Sequence, residues 1–181
     1  MNPFDTLLFV FLNQFARYSP PLDDIIIFFS DSIGYLLLAV LIFTLFFIQR
    51  PRPFSFLTSL LLVLSAGVTS RFLITELIQL IWSRPRPFEV LTHVNQLIAH
   101  SSGDSFPSGH AAFYFAVAGV FLAFDKRLGV FAICVAFLMG VARVTSGIHW
   151  PTDIMGGAVV GLLSAVGVWR IGSKLIEKKE P

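Results

Sequence analysis

The chain has 181 residues and a net charge of +2; 55% of its residues are hydrophobic, 20 are phenylalanine and 13% are charged, about half the charged share of a soluble domain. With a mean hydropathy of +0.78, this excludes disorder, a coiled coil and a soluble enzyme, and an integral membrane protein is expected. The small net charge makes no case for nucleic acid, and a single cysteine, Cys134, excludes a disulfide framework or a cysteine-based zinc site.

The first residues, MNPFDTLLFVFL, carry Asp5 and no basic n-region, so they do not read as a signal peptide. Residues 4–18 mix Asp5, Asn13, Gln14 and Arg17 with apolar side chains and end before Pro20-Pro21. They predict an interfacial amphipathic helix, with a sixth span as the alternative. Five membrane spans follow, at residues 24–49, 54–82, 108–124, 128–146 and 153–171, the last two parted by a polar break at 147–152. Each is near the ~20 residues that cross a ~30 Å hydrocarbon core, the third at the short end. The expected fold is all-α: a polytopic membrane helical bundle of five spans plus the N-terminal helix, forming one membrane-embedded domain over residues 1–181. Gly157 and Gly161 offer a small-residue face for helix packing. Cys134 reads as a small buried hydrophobe. Asp31 and Arg71, each nineteen residues from the basic turn at Arg50/Arg52, are expected to pair across the first two spans; the alternative is a solvated Asp31 at a break in the first span, with Arg71 paired to Glu76 or helping a second polar cluster.

Of the 13 lysines and arginines, Arg50, Arg52, Lys126, Arg127, Arg170, Lys174, Lys178 and Lys179 fall on one side of this layout, against Arg17, Arg84 and Arg86 on the other. The positive-inside rule places the first group in the cytoplasm. The protein is therefore expected in the cell membrane, multi-pass, with the segments 83–107 and 147–152 facing outward.

The residues capable of chemistry converge at that outer end. His110 and Arg143 lie seventeen and sixteen residues from Arg127, on either side of the inner turn, which puts both ~24–26 Å above it. Asp153 is seventeen residues before Arg170 and reaches a similar height. Arg84, Arg86 and His149 join them. Taken singly, Ser108 could be only an N-cap, Asp153 a dipole-stabilising first-turn residue, Arg84 and Arg86 snorkelling cations and His149 an idle interfacial histidine. Arg143, inside an apolar helix, is too costly to be idle. Together they suit phosphoryl transfer. Arginine forks bind phosphate oxygens, the Ser108-Gly109-His110 turn offers helix N-terminal N–H groups to an anion, and Asp153 can orient His149 from four residues on. His110 can supply a proton.

At these residues the sequence resembles the type 2 phosphatidic acid phosphatases, membrane enzymes that form a phosphohistidine. Their first signature, Lys, six residues, Arg-Pro, is matched by Arg86-Pro87, with Gln79 at the lysine position. Their second, Pro-Ser-Gly-His, is intact at Pro107, Ser108, Gly109 and His110. Their third reads here as ARVTSGIHWPTD, with Arg143, His149 and Asp153 in place and Ala142 where a serine would stand. The resemblance implies that Arg86, Arg143, Ser108 and Gly109 hold a phosphoryl group; Gln79 stands in the family's phosphate-binding lysine position without its charge, and Arg84, two residues before the matched arginine, is read as taking over part of that role. It implies that His149 attacks phosphorus, Asp153 stabilises the imidazolium, and His110 protonates the leaving oxygen. No metal and no other cofactor is implied.

The layout and the stretch RPRPFEVLTHVNQLIAHSSGDSFPSGH are similar to the bacitracin-resistance branch of the family. That branch implies cleavage of a polyprenyl diphosphate, undecaprenyl diphosphate; phosphatidylglycerophosphate or phosphatidic acid is the alternative substrate. The expected partners are therefore a polyprenyl or glycerophospholipid phosphate and membrane lipid. Two other classes fit less well. A metal-dependent hydrolase could use His110, His149 and Asp153, but three arginines would repel the cation. A transporter would need charges strung across the bilayer rather than gathered at one face. His93 and His100 read as solvated loop residues, with contact to the substrate diphosphate as the alternative.

Overall fold

The computed structural model describes residues 2–47 and 55–177. The basic positions Arg50, Arg52, Lys178 and Lys179 lie outside them. Among the described residues every regular element is helical. Helix α1 (Pro3–Asn13) is followed by α2 (Pro20–Ile27), which runs through a π-helical turn, Phe28–Ser32, into α3 (Ile33–Phe47). Likewise α4 (Phe56–Val68) continues through the π-helical turn Thr69–Ile74 into α5 (Thr75–Ile81). A single turn, α6 (Pro87–Val90), precedes α7 (Gly109–Phe124), α8 (Lys126–Thr145) and α9 (Pro151–Glu177).

Among the described residues four continuous helices are long and apolar enough to cross a membrane: Pro20–Phe47, Phe56–Ile81, Lys126–Thr145 and Pro151–Leu175. The shorter α7, 16 residues, is the fifth apolar rod of the bundle. Large apolar side chains on the outside, such as Leu80 at 81% and Ile81 at 87% exposure, have only lipid to meet. The protein is a multi-pass membrane protein. Helix α1, 11 residues, reaches about 16 Å, half a hydrocarbon core. Its polar residues point inward: Asp5 and Asn13 are buried, and Phe9 packs on Trp150 at 5.3 Å between centroids. Cys134 is exposed on α8, a correction to its expected burial. In a helix apolar all round, sequence does not distinguish a protein-facing position from a lipid-facing one.

Helix α7 is the axis of the bundle, packed by α9, α8 and α4. It buries Ala111, Ala112, Ala116, Val117 and Val120 completely. The α7–α9 contact is backbone on backbone. A Cβ on Gly157 would strike the Ser108 carbonyl and Ala111, and one on Gly161 would strike the Ala112 carbonyl and Ala116 N. This is the expected small-residue face, and it sets α9 against the first turn of α7. At the other end Asp125 caps α8, accepting the Arg127 and Leu128 N–H groups at 2.9 and 3.1 Å. The α8–α9 turn depends on Gly147 at φ +87°, where a Cβ would also press on Val94 and the Asn95 carbonyl.

The anticipated Asp31–Arg71 pair does not form. Arg71 is ion-paired with Glu76 instead, and Asp31 is exposed. The widened π-turn bonds i to i+5 and so carries residue 76 over residue 71, which a count of α-helical depth misses.

Candidate active site

The site is assembled at one end of the bundle from α7, the α8–α9 turn and the segment between α5 and α7. Ser108 stands at the N-cap of α7, but its side chain makes no capping hydrogen bond. It is buried, with its Oγ 3.4 Å from His149 Nε2. The turn before it is held from two sides. Gln79 Nε2 donates to the Pro107 carbonyl at 3.1 Å, and Ser108 N–H donates to the Asp153 carbonyl at 3.0 Å. The first N–H groups of α7 are left without helical acceptors, at the positive end of the helix dipole.

His149 and Asp153 meet across the start of α9, Nδ1 to Oδ2 at 3.4 Å. Asp153 is fully buried and its oxygens are occupied. Oδ2 also accepts from Trp150 N–H at 2.7 Å and from the Ser105 hydroxyl, and Oδ1 accepts Arg84 Nη1 at 2.7 Å. A carboxylate so fixed keeps the Nδ1–H tautomer of His149 and leaves the Nε2 lone pair directed at Ser108. Burial pushes the His149 pKa down to about 4; Asp153 opposes this, while Arg143 and Arg86 add to it. The imidazole is therefore neutral at pH 7, the form that carries a nucleophilic lone pair.

Arg86 and Arg143 flank this ring. Arg86 is 7% exposed; its Nη1 donates to the Ile148 carbonyl at 2.9 Å and lies 3.4 Å from His149 Nε2, and its Nη2 donates to the Asp104 carbonyl at 3.1 Å. Glu89 accepts the Arg86 backbone N–H at 2.6 Å, setting the turn that aims it. Burial lowers its pKa, with Asp153, Glu89 and Asp104 opposing, yet a guanidinium stays charged. Arg143 Nη1 donates to the Ser30 carbonyl at 3.0 Å. The Nε atoms of both arginines are buried without a hydrogen-bond partner. Two unspent cationic donors, one on the arginine whose Nη1 lies 3.4 Å from His149 Nε2, suit the binding of an anion.

Arg84 is placed differently. It bridges Asp5 and Asp153, each at 2.7 Å, and also donates to Thr152 at 2.7 Å. Thr152 in turn donates to Asp5 through its N–H and hydroxyl, at 2.9 and 2.7 Å. Arg84 thus reaches the site through Asp153. A cavity of about 600 Å³ adjoins it, lined by Trp82, Val90, Phe106 and Trp150 among others, and does not include His149 or Ser108.

His110 lines a separate cavity of about 170 Å³ with Arg71, Phe72, Gly109, Phe113 and Tyr114. It lies close enough to Arg143, His149 and Arg71 for their charges to act on it. His100, expected in solvent, stands edge-on to His149 with centroids 6.5 Å apart, and its pKa is lowered chiefly by burial. The sequence reading also omitted Asp5, Ser30, Asp104, Ser105 and Trp150. Asp5, an acid in an otherwise apolar N-terminal run, left the clearest mark in the sequence; Ser30 acts through its carbonyl, Ser105 through its hydroxyl, Trp150 through its backbone N–H, and Asp104 through its carbonyl to Arg86 and its carboxylate to the Arg84 N–H.

A membrane bundle that ends in such an anion cradle has the makings of an enzyme for lipids with phosphate head groups. Residues 57–177 match the PAP2 superfamily, and the chain belongs to it as a lipid phosphatase. It is 30% identical over 172 residues to the bacitracin transport permease protein BcrC of Bacillus licheniformis, covering 92% of this chain and 80% of that one. It is 29% identical to the undecaprenyl-diphosphatase BcrC of Bacillus subtilis (strain 168), covering 93% and 84%. The crystal structure of Aquifex aeolicus LpxE superposes with a TM-score of 0.75 at 25% identity, over 93% of this chain and 96% of that one.

Proposed function

We propose that the protein hydrolyses undecaprenyl diphosphate to undecaprenyl phosphate and phosphate, at the outer face of the cell membrane, through a phosphohistidine on His149. The observation that carries this is the neutral, Asp153-held imidazole beside the unpartnered Nε donors of Arg86 and Arg143. The similarity to a protein named an undecaprenyl-diphosphatase supports the choice of lipid.

The terminal phosphoryl group sits between Arg86, Arg143, the Ser108 hydroxyl and the Gly109 N–H. His149 Nε2 forms a bond to phosphorus in line as the P–O bond to the lipid phosphate breaks. The electron pair leaves on that bridging oxygen, which takes a proton from His110. Asp153 stabilises the imidazolium. Water then adds to phosphorus, giving its proton to His110; the P–N bond breaks and its electrons return to His149. Fixed cations carry the charge stabilisation. Arg84 serves by positioning Asp153, and Gln79 by holding the Pro107 carbonyl. Both Asp153 oxygens are engaged by donors, so the carboxylate orients His149 instead of ligating a cation.

The test is phosphate release from undecaprenyl diphosphate by the detergent-purified protein, with and without chelator and vanadate. Wild type is expected to be chelator-resistant and vanadate-sensitive, and to form an acid-labile phosphoenzyme. His149→Ala should lose the phosphoenzyme and at least about 10³-fold in kcat while keeping its thermal stability. Turnover by a folded His149→Ala protein overturns the mechanism, and faster release from phosphatidylglycerophosphate or phosphatidic acid overturns the substrate.

A further inference from the structure

Arg71 has no task in the mechanism above, yet its placement is specific. It projects from the π-helical turn Thr69–Ile74, and such turns recur at functional sites. The turn is pinned to α7 by Ser70, which is fully buried and donates to the Ala112 carbonyl at 3.0 Å. The Arg71 side chain lies flat against the Gly109 backbone, where a Cβ would collide with its Cδ and Nε. It therefore occupies the same first turn of α7 that carries Ser108 and His110.

Together Arg71 and His110 line the cavity of about 170 Å³ whose remaining walls include Phe72, Phe113 and Tyr114. That cavity is lined by cationic and aromatic groups together, the Arg71 guanidinium lying 5.2 Å from the Phe72 ring centroid. Its position follows from the in-line geometry. His149 lies on one side of the transferred phosphoryl group, and the leaving oxygen must lie on the other, where His110 protonates it. Whatever is attached to that oxygen enters the His110 cavity. Gln79, two turns further along the helix, brings no charge and is committed to Pro107. Arg71 is the cation that faces the leaving group, and its field reaches Arg86.

We infer that Arg71 binds the phosphate retained on the lipid, making this a site for lipid diphosphates in preference to lipid monophosphates. The inference rests on the phosphatase reading and adds the residue that selects the diphosphate. Glu76, 50% exposed, holds Arg71 in the resting protein. A diphosphate carries more negative charge than one carboxylate and displaces it, and the guanidinium then spans the bridging region as a fork. A monoester leaves an alcohol in the same place and gives Arg71 nothing to bind. The aromatic walls receive the first apolar carbons of the chain.

The experiment compares wild type with Arg71→Met, Arg71→Lys and Glu76→Ala in the full-length protein in detergent. Two readouts are used: kcat and KM for undecaprenyl diphosphate, and competitive inhibition by methylenediphosphonate and by inorganic phosphate. Arg71→Met is expected to raise KM for the lipid diphosphate and the inhibition constant for methylenediphosphonate by about 10- to 100-fold. The inhibition constant for phosphate should move less than about 2-fold, since that ion needs only the His149 cradle. Arg71→Lys should recover part of the loss, and Glu76→Ala should leave KM unchanged or lower it. Equal weakening of both inhibitors by Arg71→Met, or an equal loss in Glu76→Ala, would make Arg71 a structural ion-pair member and overturn the inference. So would unaltered diphosphonate binding in Arg71→Met. Absence of phosphate release by wild type would instead defeat the underlying phosphatase reading.

Discussion

At the scale of the residue, the proposed role of His149 depends on surroundings that keep it neutral. Burial is the main cause; Asp153 opposes it, and the charges of Arg143 and Arg86 add to the lowering. Its folded pKa, about 4, lies below the ~6.5 of an unfolded histidine. Neutral His149 therefore favours the folded state fully above pH ~6.5, and that contribution is lost as pH falls towards about 4. In 15N NMR of the histidine-labelled protein, assigned with His149→Asn, the His149 resonance should stay neutral through pH 6, where a free imidazole is largely charged. A midpoint near 6.5 would mean an open, hydrated ring. Arg84 makes a second argument at this scale. Asp5 and Asp153 share it, and Asp5 is 2% exposed against 19% for Arg84. Asp5→Ala is expected to cost about 1–3 kcal/mol of stability and to lower kcat with KM near wild type, since it loosens Asp153 and not the phosphate cradle. In a cycle with Arg84→Gln the effects should fall short of additive; additive losses would separate Asp5 from the site.

Among the elements, the α7–α9 pair decides whether the site exists. Ser108 donates its N–H to Asp153 only because Gly157 and Gly161 let the two backbones touch. Gly161→Leu meets main-chain atoms of α7 that have no way to yield. It should destabilise the protein by about 1–3 kcal/mol or more and remove activity. Gly167 lies on the same helix with nothing within 4 Å of a new Cβ, so Gly167→Leu should be near neutral. Thermal unfolding in detergent compares the two; equal melting temperatures would mean that α7 and α9 do not pack through these glycines. The π-turns in the first two long helices are the other decisive elements. Sequence periodicity showed two long apolar rods, and the extra residue in each rod re-aimed Asp31 and Arg71.

On the scale of the whole molecule, every candidate site residue lies at one end of the bundle, on the same side as the segment 83–107. Ser102, exposed in that segment, reports which side of the membrane it occupies. With Cys134 replaced by serine, Ser102→Cys should react with an impermeant maleimide on intact cells, as the distribution of basic residues requires. Labelling only after permeabilisation would put the site in the cytoplasm. Helix α1 matters at this scale too. Through Asp5, Asn13 and Phe9 it clasps the α8–α9 turn, with Asn13 Nδ2 donating to the Asn95 and Thr145 carbonyls, each at 2.9 Å.

Composition and hydropathy alone determined that this is an α-helical membrane protein, because lipid leaves the backbone no other common solution. The spacing of Pro107–His110, Arg143, His149 and Asp153 determined that these residues gather at one end, because depth along a rigid helix can be counted. Rotation cannot be counted in the same way. Whether Cys134 faces lipid or protein, whether Arg84 serves an anion or two aspartates, and which acid Arg71 meets depend on azimuth, on π-turns and on contacts between residues as distant as Asp5 and Thr152. Those were decided only when the helices packed, since an apolar helix in a membrane looks alike from every side until a neighbour covers one.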